Sequence, residues 1–290
     1  MATEMPEPAY LGSYDGTRIA AYDLGGRGPD LILAHATGFC ASVLLVMARE
    51  LAGRFRCVAF DARGHGRSGT RPGGDDEFDW HAFGADALCV VEGMGLREPY
   101  GFGHSCGGAA LLLAEESSSS TFSGLYLYEP VVFPSDTPLE PSFENNPLSA
   151  GALRRRSSFA SRQEALDNFA SKPPFEALDP EVLKSYVADG FVDDSEGGIH
   201  LACDPRHEAM IYAQGFSHDA FSRLDEVKCH VTLACGEKTD AFGPDFLSLF
   251  AARLSSVDTV VLPGLHHFGP LEAPAEVAAS VAASLGALSP

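Results

Sequence analysis

Gly103-His104-Ser105-Cys106-Gly107 sets a serine between two glycines where the local pattern changes. The run before it, Arg97 to Gly103, reads as a short buried strand, and Gly107 to Glu115, rich in Ala and Leu, reads as a helix. A serine on so sharp a strand-to-helix turn adopts a strained backbone that projects its hydroxyl into a cleft. Side chains two residues to either side would collide with the strand and the helix, which accounts for the glycines. The helix behind the serine offers free N–H groups and a positive dipole end to a developing oxyanion. Ser105 is therefore the candidate nucleophile. A Gly-rich turn without chemistry would look the same over five residues, so the surroundings must decide.

Forty Asp and Glu against twenty Lys and Arg give a formal charge of −20. Such a field repels phosphate, so neither nucleic acid nor an anionic membrane is an expected partner. A small-molecule substrate is expected instead, with a homodimer left open. The longest apolar stretch, around Val43 to Met47, is far too short to span a bilayer. The segment Met1 to Glu7 carries neither a basic region nor an apolar one of the secretory kind. The seven cysteines form no C-x-x-C pair and mostly sit in apolar runs, as buried reduced thiols do. A cytoplasmic location is the expectation. The adjacent His266 and His267 lack metal-ligand spacing relative to the cysteines, and Gly25-Gly26-Arg27-Gly28 reads as a tight turn without the context of a phosphate loop. No metal and no cofactor are expected.

A chain of 290 residues with 45% hydrophobic content fits one large core carrying an insertion. Strand patterns at Arg18–Leu24, Asp30–His35, Cys57–Asp61 and Gly124–Tyr128 alternate with helical ones at Ala41–Ala52 and Trp80–Met94, the latter with Asp79 as its cap. This alternation predicts an α/β fold with a doubly wound, mostly parallel sheet. Between Glu129 and Leu224 the signals become helical. Ser161 to Glu164 is a capping box, Asp179-Pro180 opens a helix that Gly190 stops, and Asp204-Pro205 opens one that Gly215 stops. Only Gly198 to Ala202 interrupts them with a strand-like run. Strands resume at His230–Cys235 and Thr259–Leu262, with helices near Asp245–Leu254 and Ala275–Leu285. The expected organisation is a core of residues 1–130 and 225–290, with a helical cap over residues 131–224.

Acyl transfer by serine needs a base in hydrogen-bond reach and a carboxylate to hold that base. The last strand runs into Pro263-Gly264-Leu265-His266-His267-Phe268, and His267 is preferred over His266 because Phe268 can anchor it. The order of serine turn, helical insertion and C-terminal histidine resembles the α/β-hydrolase fold over almost the whole chain. His35-Ala36-Thr37-Gly38-Phe39 stands where that fold has its oxyanion loop, with Ala36 in place of the usual glycine. Asp61-Ala62-Arg63-Gly64-His65-Gly66-Arg67-Ser68 resembles the Asp-x-Arg-Gly-x-Gly-x-Ser signature of the family. The resemblance implies an oxyanion hole made by the backbone N–H groups of Thr37 and Cys106. It also implies structural roles for Asp61 and Arg63, and a supporting role for His104.

The acid has two candidates. Most family members place Asp three residues after the glycine that follows the penultimate strand. Here Thr239 stands at that place and Asp240 one later. Glu129, at the end of the strand after the serine turn, resembles a variant arrangement of some haloalkane dehalogenases and fungal peroxisomal acyl-CoA hydrolases. A carboxylate ending the apolar run Gly124 to Tyr128 also needs a partner if buried, and a histidine supplies one. Glu129 is narrowly favoured over Asp240. The resulting expectation is a serine hydrolase cleaving a carboxylic ester or thioester through an acyl-serine intermediate. An acyl-CoA thioesterase, greeted by Arg154, Arg155 and Arg156, is the first alternative, although three consecutive positions cannot share one helix face. Hydrolysis of a lactone, amide or C–C bond is the second. A non-turnover ligand receptor of the same fold is the third.

Overall fold

The computed structural model describes residues 4–71, 79–134, 146–195 and 197–288. Eight strands form one sheet. They are β1 (Ala9–Gly12), β2 (Arg18–Gly26), β3 (Asp30–Ala34), β4 (Arg56–Phe60), β5 (Tyr100–His104), β6 (Gly124–Tyr128), β10 (His230–Gly236) and β11 (Val257–Leu262). Their spatial order is β1-β2-β4-β3-β5-β6-β10-β11. The β1–β2 and β2–β4 pairs are antiparallel and every other pair is parallel. The strand β1 escaped the sequence reading because four mostly exposed residues at a sheet edge carry no clear period.

Strand alternation divides the core into two layers. Leu31 and Leu33 of β3 point to one face, where they join α1 (Leu45–Leu51) and α10 (Pro274–Gly286). Ile32 and Ala34 point to the other, where they meet α2 (Trp80–Gly93), α3 (Cys106–Ser117) and α8 (Pro244–Ala251). The Asp79 side chain caps α2 as expected, accepting from the N–H of His81. Helices on both faces of a mostly parallel sheet make this the doubly wound fold that the alternation predicts. Among the described residues no helix is long and apolar enough to cross a membrane.

The segment between β6 and β10 holds helices α4 (Pro147–Arg154), α5 (Arg162–Ala170), α6 (Pro180–Asp189) and α7 (Pro205–Ala213). It is not purely helical. Strands β7 (Ser158–Phe159), β8 (Phe191–Asp193) and β9 (Ile199–Leu201) form a small antiparallel sheet in the order β7-β9-β8. Only β9 left a trace in the sequence, because strands of two or three residues are too short to display an alternation. The inserted segment rests on the core: the Ser42 hydroxyl donates to the Ser185 carbonyl at 2.9 Å, and the Asp179 N–H to the Leu271 carbonyl at 2.9 Å.

One buried carboxyl carries a stability consequence. Glu116, near the end of α3, is 5% exposed and neither carboxylate oxygen has a hydrogen-bond partner. Burial pushes its pKa up to about 8, partly offset by the nearby Arg223 guanidinium. A carboxyl whose folded pKa lies above its unfolded value contributes stability at low pH. That contribution is lost as the pH rises from the unfolded pKa of about 4.3 through the folded one. Glu116→Gln should therefore raise the melting temperature by several degrees at pH 8.5, from a gain of up to about 5 kcal/mol. The gain should shrink towards pH 5, as thermal unfolding across that range would show. A gain independent of pH would mean that packing, not charge, is at fault.

Candidate active site

Ser105 sits between β5 and α3 with φ 55° and ψ −116°, a conformation that costs a non-glycine residue about 1–3 kcal/mol. Backbone bonds hold it there. Its N–H donates to the Tyr128 carbonyl at 3.0 Å, and its own carbonyl accepts from Gly108 at 3.0 Å and Val131 at 3.2 Å. The flanking glycines are steric necessities. A Cβ on Gly103 would lie 2.6 Å from the Gly108 Cα, and one on Gly107 would collide with the Ala34 carbonyl at the end of β3. The backbone N–H groups of Thr37 and Cys106 donate to no other described residue. Both residues are buried and Thr37 lines the same pocket as Ser105. The Cys106 thiol is pushed up to about 12 by burial, so it holds its proton and is no rival nucleophile.

His267 lies in the loop after β11. Its Nδ1 meets the Oε2 of Glu129 at 2.7 Å. With Nδ1–H donating to that carboxylate, Nε2 is left as the acceptor, and His267 shares the Ser105 pocket. No hydrogen bond joins the Ser105 hydroxyl to this ring, a contact that often tightens only around substrate. His266 turns elsewhere: its ring and its N–H face Glu272, at 3.3 and 3.1 Å.

Glu129 is fully buried and follows β6 with φ 47°. Three groups satisfy its charge. Besides His267, the Gly236 N–H donates to Oε1 at 3.0 Å and the Thr239 hydroxyl to Oε2 at 2.8 Å. Thr239, the residue at the acid position of most family members, thus donates to the carboxylate that His267 contacts. Asp240 lines the pocket mouth instead, and no hydrogen bond or ion pair links it to His267 or to any other described residue.

Two side chains support the histidine loop, and of these Tyr128 escaped the sequence reading. The Tyr128 hydroxyl donates to the His266 carbonyl at 2.7 Å, and His104 Nε2 donates to the His267 carbonyl at 2.9 Å. The residues just before Glu129 and Ser105 therefore clamp two successive carbonyls of the histidine loop. Burial holds His104 well below the usual histidine range, so it stays neutral. A neutral ring facing a carbonyl must carry its proton on Nε2.

The oxyanion loop is braced from below. The Gly38 N–H donates to His65 Nε2 at 3.0 Å, and the Ala62 N–H to His35 Nε2 at 3.0 Å. Asp61 accepts from the Ala41 N–H, the Arg67 N–H and the Tyr22 hydroxyl at 2.7–2.8 Å. Arg63 makes a two-pronged pair with Asp86, both bonds at 2.7 Å. Asp61 and Arg63 tie loops together and stand outside the pocket. The three arginines diverge. Arg155 pairs with buried Glu208 at 2.9 Å, Arg156 pairs with Glu164 at 2.7 Å, and Arg154 is exposed at the end of α4.

Ser105 and His267 open into a cavity of 520 Å³. Trp80, Val131, Phe133, Phe216, Phe242 and Phe268 give it a largely apolar wall. Phe242 and Phe268 also pack against the His267 ring, with centroids 6.0 and 5.2 Å away.

The family model described as "Alpha/beta hydrolase family" matches residues 31–280. An abhydrolase domain-containing protein of Alternaria alternata is 25% identical over 223 residues, 64% of this chain and 83% of that protein. An E-2-(acetamidomethylene)succinate hydrolase superposes with a TM-score of 0.81 at 18% identity, over 96% of this chain and 98% of the other. A peroxisomal alpha-beta-hydrolase of Saccharomyces cerevisiae superposes with a TM-score of 0.79 at 18% identity, over 99% of this chain and 88% of the other.

Proposed function

We propose that this chain, which belongs to the alpha/beta hydrolase family, hydrolyses carboxylic esters through an acyl-serine intermediate. The observation that carries the reading is the 2.7 Å contact between His267 and the buried carboxylate of Glu129, in a pocket shared with Ser105. In this mechanism the Ser105 hydroxyl attacks the ester carbonyl while His267 Nε2 takes its proton. Glu129 fixes the ring tautomer and stabilises the imidazolium that forms. The N–H groups of Thr37 and Cys106 receive the oxyanion. The protonated ring then delivers its proton to the leaving alcohol. Water attacks the acyl-serine with His267 as base, and the carboxylic acid leaves.

An ester is favoured over an acyl-CoA thioester by the fate of the arginines. Arg155 and Arg156 are already paired with Glu208 and Glu164, so the three arginines do not form a cluster to receive the phosphates of a CoA arm. A serine rather than an aspartate at the turn argues against halide or epoxide substrates. At 18% identity the likeness to the structural neighbours is one of fold. The inserted segment, as a cap, would choose among esters, because Asn146, Leu148, Pro173, Ala177 and Tyr212 line the cavity.

Steady multiple turnover of 4-nitrophenyl esters tests the proposal. Turnover linear well beyond one equivalent is the expected result. A single burst without further release would point to a receptor that keeps the machinery but traps the acyl group.

A further inference from the structure

We infer, resting on the serine-hydrolase reading above, that the pocket takes an uncharged, mainly apolar acyl group and rejects one that ends in a carboxylate. The cavity wall is aliphatic and aromatic along most of its extent. A carboxylate pushed into such a wall loses its hydration and gains a partner only if a cation or a cluster of N–H donors waits there. Among the described residues no Lys or Arg lines the cavity, and the only charged side chains that do are Asp240 and Glu272, besides the two histidines. Glu272 is engaged by His266. Asp240 has no described partner, so its charge stands uncompensated at the mouth.

One cation comes near, and it is ion-paired. Arg155 lies behind Gly38, paired with Glu208: a Cβ on Gly38 would meet the Glu208 Oε1 at 2.6 Å and the Arg155 Nη1 at 3.4 Å. Buried Glu129 adds a third negative charge behind His267. A substrate carboxylate thus meets desolvation along the wall and repulsion at the mouth. The net charge of −20 acts in the same direction over longer range. The same field favours departure of the product, which becomes an anion only once the ester has been cleaved. Asp240 is exposed, so water screens it, and its share of the discrimination is the smaller one.

Two pairs of probes of equal length test this. In turnover, 4-nitrophenyl hexanoate is compared with the mono-4-nitrophenyl ester of adipic acid. The expected kcat/KM ratio is at least about 100 in favour of the neutral ester, equivalent to about 2.7 kcal/mol. In binding, hexanamide is compared with the monoamide of adipic acid on folded Ser105→Ala protein, where no chemistry can intervene. The neutral amide should bind more tightly by at least about tenfold. Asp240→Asn should narrow both gaps by a few-fold. Equal or tighter binding of the charged amide overturns the inference whatever the turnover. So does failure of hexanamide to bind at millimolar concentration. Preference for the neutral amide without turnover of either ester would uphold the pocket inference and sink the hydrolase reading, so the two fail separately.

Discussion

Ser105→Ala should abolish ester turnover, a loss of roughly 10⁴-fold or more, while leaving the protein folded. The hydroxyl is the only group in the proposed mechanism that bonds to substrate, so His267 and Glu129 have nothing to act on without it. The backbone that shapes the turn is held by main-chain bonds to Tyr128, Gly108 and Val131, none of which involves the side chain. An unchanged circular dichroism spectrum and melting curve should therefore accompany the loss. A fluorophosphonate probe should label Ser105 in the native protein and nothing in the variant. His267→Ala should cost about as much, because members of such a unit are strongly non-additive. His266→Ala, whose ring faces Glu272, should cost far less. Full activity in folded Ser105→Ala protein would end the serine-hydrolase reading.

Glu129→Gln should lower kcat by roughly 10³–10⁴-fold with little change in fold. The amide keeps the shape of the side chain but removes the charge that stabilises the imidazolium. It can also present an NH₂ where His267 needs an acceptor, which turns the ring to the wrong tautomer. The Gly236 N–H and the Thr239 hydroxyl, both donors to this carboxylate, face the same mismatch. Asp240→Asn, at the pocket mouth, should change kcat on a neutral ester by no more than a few-fold. Kinetics on one ester over both variants decide the matter. A larger loss in Asp240→Asn than in Glu129→Gln would refute the assignment of the acid.

The serine turn was legible because its demands are local. A left-handed serine between glycines that cannot carry a Cβ follows from five residues alone. The core sheet was legible because helical and strand periods alternate over long runs. Glu129 announced itself through an energetic misfit, a carboxylate at the end of the fully buried strand β6. The supports were hidden for the opposite reason. Tyr128 reaches the histidine loop across 138 residues, and Thr239 reaches Glu129 across 110. Nothing in the local sequence around either residue marks such a bond. Thr239 was visible only as a departure from the family pattern, at the place where most members carry an acid. The small sheet of the inserted segment was hidden by its brevity, since β7 spans two residues.

Seating the carboxylate on β6 shapes how this protein can diversify. Where the acid stands in the loop after β10, every change in that loop risks the proton relay. Here Thr239 is the one side chain among the described residues of that loop that bonds to the carboxylate. Asp240, Ala241 and Phe242 face the cavity without a hydrogen bond to the carboxylate. Inherited change of the Asp240 and Ala241 side chains can retune which esters enter while the relay beneath stays intact, whereas Phe242 also packs against the His267 ring. Descendants of this chain thus have a short adjustable rim next to a fixed engine, and new substrate ranges can arise there by single steps that never pass through an inactive intermediate.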